Sequence, residues 1–265
     1  MLLDIRLLKG TMIEEWRNNK SFYERIGDWF SFIFPVRCIS CKTIITDENK
    51  GNPDIFCNIC EESILERGEN FCPICGVRFE GLTGESRCEE CIKNPKPFER
   101  LIYHFLYGGA IKDAIKAFKY NHHLLSGRAL TLHSIDRTIN ELKGFNPEII
   151  IPVPIHFIKH FIRSFSPTAY ISSHLSRSLG LSVEYNALKK LRFTRSQVGL
   201  DREKRLRNLK GSIGFDRGKK NLIQDKRVLL VDDVYTTGAT SSICADLLLK
   251  NGASSVAVFV LARGE

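Results

Sequence analysis

No apolar run in this chain of 265 residues is long enough to cross a bilayer. The longest, such as Val256 to Ala262, fall far short of the about 20 residues a spanning helix needs, so no transmembrane segment is expected. No G-x-x-x-x-G-K-[ST] occurs, which removes the P-loop NTPases; Gly218-Lys219 lacks both the upstream glycine and the following Ser or Thr. No G-x-G-x-x-G occurs either, which removes the dinucleotide-binding fingerprint. Methionine is scarce: two residues, at positions 1 and 12, which leaves Met12 as an alternative start. Met1 to Lys9 is apolar but carries Asp4 and Arg6 and no cleavage-site pattern, so no secretory signal is expected. Acids are outnumbered, 30 against 39 Lys and Arg, for a net charge of +9. That excess points to an anionic partner, a nucleic acid or a polyphosphate. Apolar residues make up 43% of the chain, enough for a real core in one or two domains.

Cysteine is the residue in surplus. Eight of the nine fall into four C-x-x-C pairs: Cys38/Cys41, Cys57/Cys60, Cys72/Cys75 and Cys88/Cys91. Without a secretory signal, a reducing, cytoplasmic setting is expected, and the pairs read as metal ligands rather than as disulfides. Zinc takes four thiolates in a tetrahedron, and each C-x-x-C turn supplies two. Fifteen residues separate the first two pairs and twelve the last two, spacings that suit ribbon-type sites and imply two zinc ions. Spacing leaves open whether neighbouring or interleaved pairs share an ion, and whether one pair has a redox role instead. A segment this small uses the ion in place of a hydrophobic core. It is either purely structural or a module that touches nucleic acid. The ninth, Cys244, falls on the apolar side of a helix and reads as core.

The stretch Val228-Leu229-Leu230-Val231-Asp232-Asp233-Val234-Tyr235-Thr236-Thr237-Gly238-Ala239-Thr240 organises the rest. Four apolar residues read as a buried strand, two acids stand at its carboxyl end, and a hydroxyl- and glycine-rich loop leads into a helix, Ser241 to Lys250. Backbone N–H groups at a helix start attract a phosphate, and Gly238 lets the backbone approach it closely. Thr236, Thr237 and Thr240 can add hydroxyl donors. Asp232 and Asp233 repel phosphate but accept from sugar hydroxyls, so the pattern describes a ribose 5-phosphate. The plainer alternative is a buried strand whose acids cap the next helix.

Elsewhere, residues 12–34 read as an amphipathic helix ended by Pro35, packed on a neighbour or on a membrane surface. Asn94 to Pro97 reads as a linker. Leu101 to Leu106 reads as one strand, a helix follows up to Lys119-Tyr120, and Leu124 to Leu142 reads as a single further helix. Lys119, at a helix end, either faces a phosphate or matches the dipole. Glu148 to Ile151 reads as a second buried strand running into the stiff loop Pro152-Val153-Pro154, at the kind of strand end that lines a ligand crevice. Ser166 to Gly180 reads as a helix with a glycine stop, and Leu181 to Lys190 as a short strand or turn. From Lys189 to Lys210 nine bases face two acids, a net +7 that includes Arg192, Arg195, Arg202, Lys204 and Arg205. Mobile cations of this kind can close over a polyphosphate leaving group. With Phe193 they can also stack and hold single-stranded DNA. A solvated helix face is the alternative.

Thirteen residues from Val228 to Thr240 resemble the phosphoribosyl pyrophosphate (PRPP) loop of type I phosphoribosyltransferases. Together with the C-x-x-C array, Phe118-Lys119-Tyr120, Pro152-Val153-Pro154, Arg195-Ser196-Gln197-Val198-Gly199-Leu200 and Arg205-x-x-Asn208-Leu209, the chain from Pro35 onward resembles the ComF family. The resemblance implies an α/β chain with the type I phosphoribosyltransferase fold, a mostly parallel sheet flanked by helices, behind a small N-terminal Cys-rich zinc domain. With the helical segment read over 1–37, it implies a zinc domain and linker over 38–97 and a phosphoribosyltransferase-like domain over 98–265. It implies PRPP at Asp232, Asp233 and the Thr236–Thr240 loop, with Mg2+. The pyrophosphate would be met by Pro152, Val153, Pro154, Lys119, Arg163, Arg192, Arg195 and Arg205. It implies a role in DNA uptake and natural transformation, with single-stranded DNA and competence-machinery proteins as partners. Either phosphoribose is transferred to an acceptor the sequence does not identify, or PRPP is sensed by a non-catalytic DNA-binding zinc protein. One departure stands out. Where the family shows Arg-Gly-Phe-Asn-Gln, this chain reads Arg163-Ser164-Phe165-Ser166-Pro167. Ser166-Pro167 is a sound helix start, but the lost amides remove hydrogen-bonding groups near the site.

Overall fold

The computed structural model describes residues 35–68, 70–79, 86–155, 165–191 and 211–264. Its strands are β1 (Arg100–Ile102), β2 (Phe105–Leu106), β3 (Ile149–Pro152), β4 (Ser182–Val183), β5 (Leu188–Lys190), β6 (Ile213–Phe215), β7 (Arg227–Val231), β8 (Val234–Tyr235), β9 (Ser255–Phe259) and β10 (Ala262–Arg263). Its α-helices are α1 (Asn58–Glu62), α2 (Glu89–Lys93), α3 (Gly109–Tyr120), α4 (Leu124–His133), α5 (Ile135–Leu142), α6 (Pro167–Leu179), α7 (Lys220–Ile223) and α8 (Ala239–Lys250). The helix expected over residues 12–34 lies outside the described residues.

Continuous Val, Leu and Ile runs demand burial on both faces, and the main sheet provides it. Five parallel strands stand in the order β1-β9-β7-β3-β4. Alternate residues divide between two cores. On one face Ile149, Ile151, Val228, Leu230, Val256 and Val258 pack with Cys244 and Leu248 of α8. On the other, Ile150, Leu229, Val231, Ala257 and Phe259 pack with α3, α4 and α6. Cys244 is fully buried, as the sequence suggested. A second, smaller parallel sheet, β2-β10-β8, stands beyond the carboxyl ends of the first.

Two expected elements are broken. The strand expected over Leu101–Leu106 is interrupted at Tyr103-His104. There the Tyr103 hydroxyl turns to donate to the Gly76 carbonyl (2.8 Å) and the His104 carbonyl accepts from Arg67 N–H (2.9 Å). The helix expected over 124–142 breaks at Ser134, whose hydroxyl donates back to the carbonyls of Leu130 (2.8 Å) and Thr131 (3.0 Å) and so competes with the helical ladder. Ser166 and Gly180 do cap α6 as read: Ser166 Oγ accepts from Ala169 N–H, Pro167 opens the helix, and Gly180 closes it at φ 68°.

The Cys-rich segment is welded to the edge of the main sheet. Leu101 N–H donates to the Pro73 carbonyl (2.8 Å), so the free edge of β1 is covered. Residues Leu65 to Arg67, between the second and third Cys pairs, pair with β2 through Glu66 and Phe105. Cys72, Ile74 and Cys91 enter the α8-side core, while Cys38, Ile55, Phe56 and Cys57 enter the opposite one. The two halves of the segment therefore straddle the sheet edge.

Candidate functional site

The eight paired cysteines assemble into two four-sulfur clusters, and neighbouring pairs share each one. Cys38, Cys41, Cys57 and Cys60 form the first; Cys72, Cys75, Cys88 and Cys91 form the second. Cys41 and Cys57 sulfurs lie 3.6 Å apart, and Cys75 and Cys88 sulfurs 3.5 Å. Zn–S bonds of about 2.3 Å in a tetrahedron put sulfurs roughly 3.8 Å apart, so the donor sets fit two zinc ions. The pairing that spacing left open is thus resolved as first with second and third with fourth.

The clusters are built alike. Cys38 N–H donates to Thr43 O and Cys72 N–H to Val77 O, both at 2.8 Å; Lys42 N–H donates to Cys38 O and Gly76 N–H to Cys72 O. In each, the second pair starts a five-residue helix, α1 after Cys57 and α2 after Cys88. Both turns need a left-handed residue, Lys42 at φ 66° and Gly76 at φ 71°. Only the second must be glycine, because a Cβ there would come within 2.5 Å of the Tyr103 ring. The second cluster is also tied to the far end of the chain, since Arg263 Nε donates to the Cys75 carbonyl at 2.9 Å. Left to themselves, four thiols in one cluster cannot all ionise. Burial, with neighbouring cysteines adding to it, pushes Cys60 up to about 12 and Cys75 to about 11. Cys41 goes down, to about 6, through hydrogen bonding with Thr43, and Cys72 goes down too, where its burial is outweighed by backbone hydrogen bonds.

The second place where chemistry gathers is between β3 and β7. From β3 the chain moves outward to β4 on one side; from β7 it moves to β9 on the other. This is the point at which strand order reverses, and a crevice opens there beyond the carboxyl ends of parallel strands. Pro152-Val153-Pro154 leaves one strand and Asp232-Asp233 the other. Val153 N–H donates to Val231 O (2.8 Å), and the Thr168 hydroxyl of α6 donates to Val153 O (2.9 Å), so the proline loop is pinned on both sides.

The two acids are held by backbone bonds. Asp232 N–H donates to Phe259 O (2.9 Å), and Asp233 O accepts from Leu261 N–H (3.1 Å). Asp232 Oδ1 accepts from Asp233 N–H at 2.8 Å. Lys119, at the last turn of α3, places Nζ 2.7 Å from Asp233 Oδ1, with both side chains largely buried. Burial alone would lower the ammonium's pKa, but Asp233 and then Asp232 outweigh it and the net shift is upward. Among the described residues Asp232 has no such direct partner. Burial first, then the Asp233 charge, raises its carboxyl to about 7, against weaker opposition from Lys119 and Lys190. Tyr107 stands beside the pair, its phenol raised by burial with Lys119 opposing.

Past the acids, Val234 and Tyr235 join the small sheet and Thr236-Thr237-Gly238 turns into α8. Gly238 is the N-cap at φ 72°, and a Cβ there would lie 2.2 Å from the Tyr235 hydroxyl. Among the described residues no side chain caps this helix start, so the dipole's positive end stays open to another acceptor. Thr236 is exposed, and Thr237 and Thr240 are half-buried at the helix entrance; Ala239 is buried.

The structure therefore brings together Asp232, Asp233, the Thr236–Thr240 loop, Pro152-Val153-Pro154 and Lys119. Arg163, Arg192, Arg195 and Arg205 lie outside the described residues. The basic stretch departs from Lys190 and Leu191 and returns at Gly211, across the antiparallel β5–β6 pair. Sequence reasoning missed Tyr107 and Thr168. Neither sits in a periodic pattern; Tyr107 precedes a Gly-Gly turn, the one local hint.

Residues 29–92 match the double zinc ribbon domain family. Over most of its length the chain is similar to the competence protein F of Haemophilus influenzae: 29% identical, covering 87% of this chain and 98% of that protein. It is similar to the DNA utilization protein YhgH of Escherichia coli K12, 29% identical over 78% of this chain and 90% of that protein. It is also similar to the competence protein ComFC of Streptococcus pneumoniae, 26% identical over 86% of this chain and 100% of that protein. Among solved structures it is similar to the glutamine PRPP amidotransferase of B. subtilis, with a TM-score of 0.36 and 18% identity over 55% of this chain and 30% of that one. It is likewise similar to the hypoxanthine phosphoribosyltransferase of Trypanosoma cruzi, with a TM-score of 0.34 and 16% identity over 53% and 65%. The ComF resemblance seen in the motifs thus extends over most of the chain.

Proposed function

We propose that this ComF relative binds Mg-PRPP in the crevice between β3 and β7 and acts in DNA uptake. One observation carries the binding: Asp232 and Asp233 stand at the reversal of strand order, directly before an α8 N-terminus that no side chain caps. The uncapped N–H groups, with the Thr236 and Thr237 hydroxyls, take the 5-phosphate. The two carboxylates accept from the ribose hydroxyls. Burial first, then the Asp233 charge, pushes the Asp232 carboxyl up to about 7, and a divalent cation would offset both. Asp232 and Asp233 are the residues that would hold magnesium, whose contribution there is to neutralise the pyrophosphate. Lys119 is already charged and already at the site; by letting go of Asp233 it can turn to the pyrophosphate. Rate enhancement in such a site comes from positioning and charge stabilisation of the leaving group.

A sensing role without transfer is favoured by Ser166 and Pro167. They stand where the family carries amides, and Ser166 is already used in capping α6. The DNA-uptake role follows the names of the relatives and the net +7 of residues 189–210.

Thermal unfolding tests the binding. At 100 times its Kd, Mg-PRPP stabilises the fold by about 2.7 kcal/mol, and Asp233→Asn cancels the shift. A wild-type protein that Mg-PRPP does not protect contradicts the proposal. Pyrophosphate release with candidate acceptors then separates transfer from sensing. Single-stranded DNA binding that weakens steeply with salt supports the second partner; binding that ignores salt counts against it.

A further inference from the structure

A third group of metal-ligating side chains lies apart from both sulfur clusters and from the crevice. Glu66, in the segment between the ribbons, meets His104, between β1 and β2, and His133, at the end of α4. Both imidazoles aim Nε2 at the same carboxylate oxygen: His104 Nε2 is 3.1 Å from Glu66 Oε1 and His133 Nε2 is 3.6 Å from it. All three donor atoms fall within 4.8 Å of one another. An ion with bonds of about 2.1 Å separates adjacent donors by roughly 3.0–3.4 Å, so small side-chain rotations bring all three onto one centre.

The frame around the cluster is rigid. Glu66 is bridged to Phe105, and its neighbours on both sides are bonded to the same stretch, His104 to Leu106: Leu106 N–H to Leu65 O at 2.8 Å, Arg67 N–H to His104 O at 2.9 Å. The His133 ring stacks on Phe105 with centroids 5.7 Å apart, and the His104 ring stands edge-on to it at 4.6 Å. His133 Nδ1 lies 3.3 Å from Asn52 Oδ1, an outer partner that keeps Nε2 turned inward. His104 is 8% exposed and among the described residues its Nδ1 has no hydrogen-bond partner, so its polar contact runs through Nε2. The nearby Arg67 and Arg137 are paired with Glu141 rather than with Glu66. Glu66 is half-exposed, which gives an ion a path in and leaves its remaining positions to water.

We infer that Glu66, His104 and His133 form a third divalent-cation site, for a borderline ion of the Zn2+ class, bridging the segment between the ribbons to the α/β sheet. Two imidazoles and one carboxylate are the donor set such ions take when coordination positions stay open. The site exchanges its ion readily, whereas the thiolate sites do not.

The full chain, loaded with zinc at both sulfur clusters and dialysed free of excess metal, is titrated with Co2+. One further ion is expected per chain. Its weak ligand-field absorption should carry no thiolate charge-transfer band, and a mild chelator should remove it while both zinc ions stay. His133→Asn and Glu66→Gln, both at accessible positions, should each weaken this uptake by roughly tenfold or more, at least the loss seen when an outer partner is removed. Each variant should keep its two zinc ions and its unfolding temperature without cobalt. No third ion in the wild type, or uptake unchanged by both variants, overturns the inference and leaves a hydrogen-bonded Glu–His network.

Discussion

The sulfur clusters and the crevice both concentrate negative charge, and they deal with it in opposite ways. Each sulfur cluster brings four thiols together, and burial first, then the neighbouring cysteines, pushes Cys60 and Cys75 up, with no cationic side chain among the main causes to offset it. The crevice brings two carboxylates together and supplies Lys119, 2.7 Å from Asp233. An outside ion is therefore part of the fold at the ribbons. At the crevice an internal cation, Lys119, already pairs one acid, so the proposed ligand cation would replace a partner rather than complete a core. The difference teaches which site is structural and which is exchangeable, and it gives an ordered set of ways to break it.

The largest effect is expected from the ribbons. Structural zinc contributes about 10 kcal/mol or more to the folding of a small module. Cys72→Ser or Cys91→Ser should lose one zinc ion per chain and destabilise the main sheet too, because these residues pack into its core. Cys41→Ser, at an exposed sulfur, should lose the first ion with less damage to the sheet. Zinc content beside near-ultraviolet circular dichroism checks both. Next comes Lys119→Met, which leaves Asp233 unpaired beside Asp232. Removing one partner of a largely buried pair costs about 3–5 kcal/mol, and Asp233→Asn in the same chain should restore most of it in a denaturation cycle.

A smaller, pH-dependent effect belongs to Asp232. Between its ordinary value of 3.8 and about 7, the folded chain holds a proton that the unfolded chain has released. Stability therefore falls as pH rises through that window and levels off above it. Asp232→Asn should be more stable than wild type at pH 8, with the gain gone near pH 4. Smallest is Lys42→Gly. It relieves a left-handed side chain but adds freedom to the unfolded chain, so the net change should stay within about 1 kcal/mol. A large gain there would mean that backbone strain, rather than the ion, governs the first ribbon.

Local pattern carried much of this. Val228–Val231 with its two acids reads as a buried strand end because both faces of a parallel sheet are covered. The C-x-x-C turns read as ligands because spacing and ligand type are local. The helix start at Ser166-Pro167 and the stop at Gly180 were legible for the same reason. What was not legible is non-local. Nothing near Lys119 in the sequence says that Asp233 is its partner, and spacing cannot say which cysteine pairs meet. The weld between Leu65–Arg67 and β2 has no periodic signal, since it is a bridge of a few residues. Ser134 broke a helix whose apolar stripe runs straight through it, because a hydroxyl bonding back to the ladder leaves no mark in the hydrophobic pattern.

The central claim is that the crevice between β3 and β7 takes Mg-PRPP through Asp232, Asp233 and the α8 N-terminus. Calorimetric titration of the zinc-loaded chain with Mg-PRPP, beside a folded Asp232→Asn/Asp233→Asn variant, tests it most directly. Saturable heat in the wild type that disappears in the variant is the predicted result. No heat in the wild type, or the same heat in both, would contradict it.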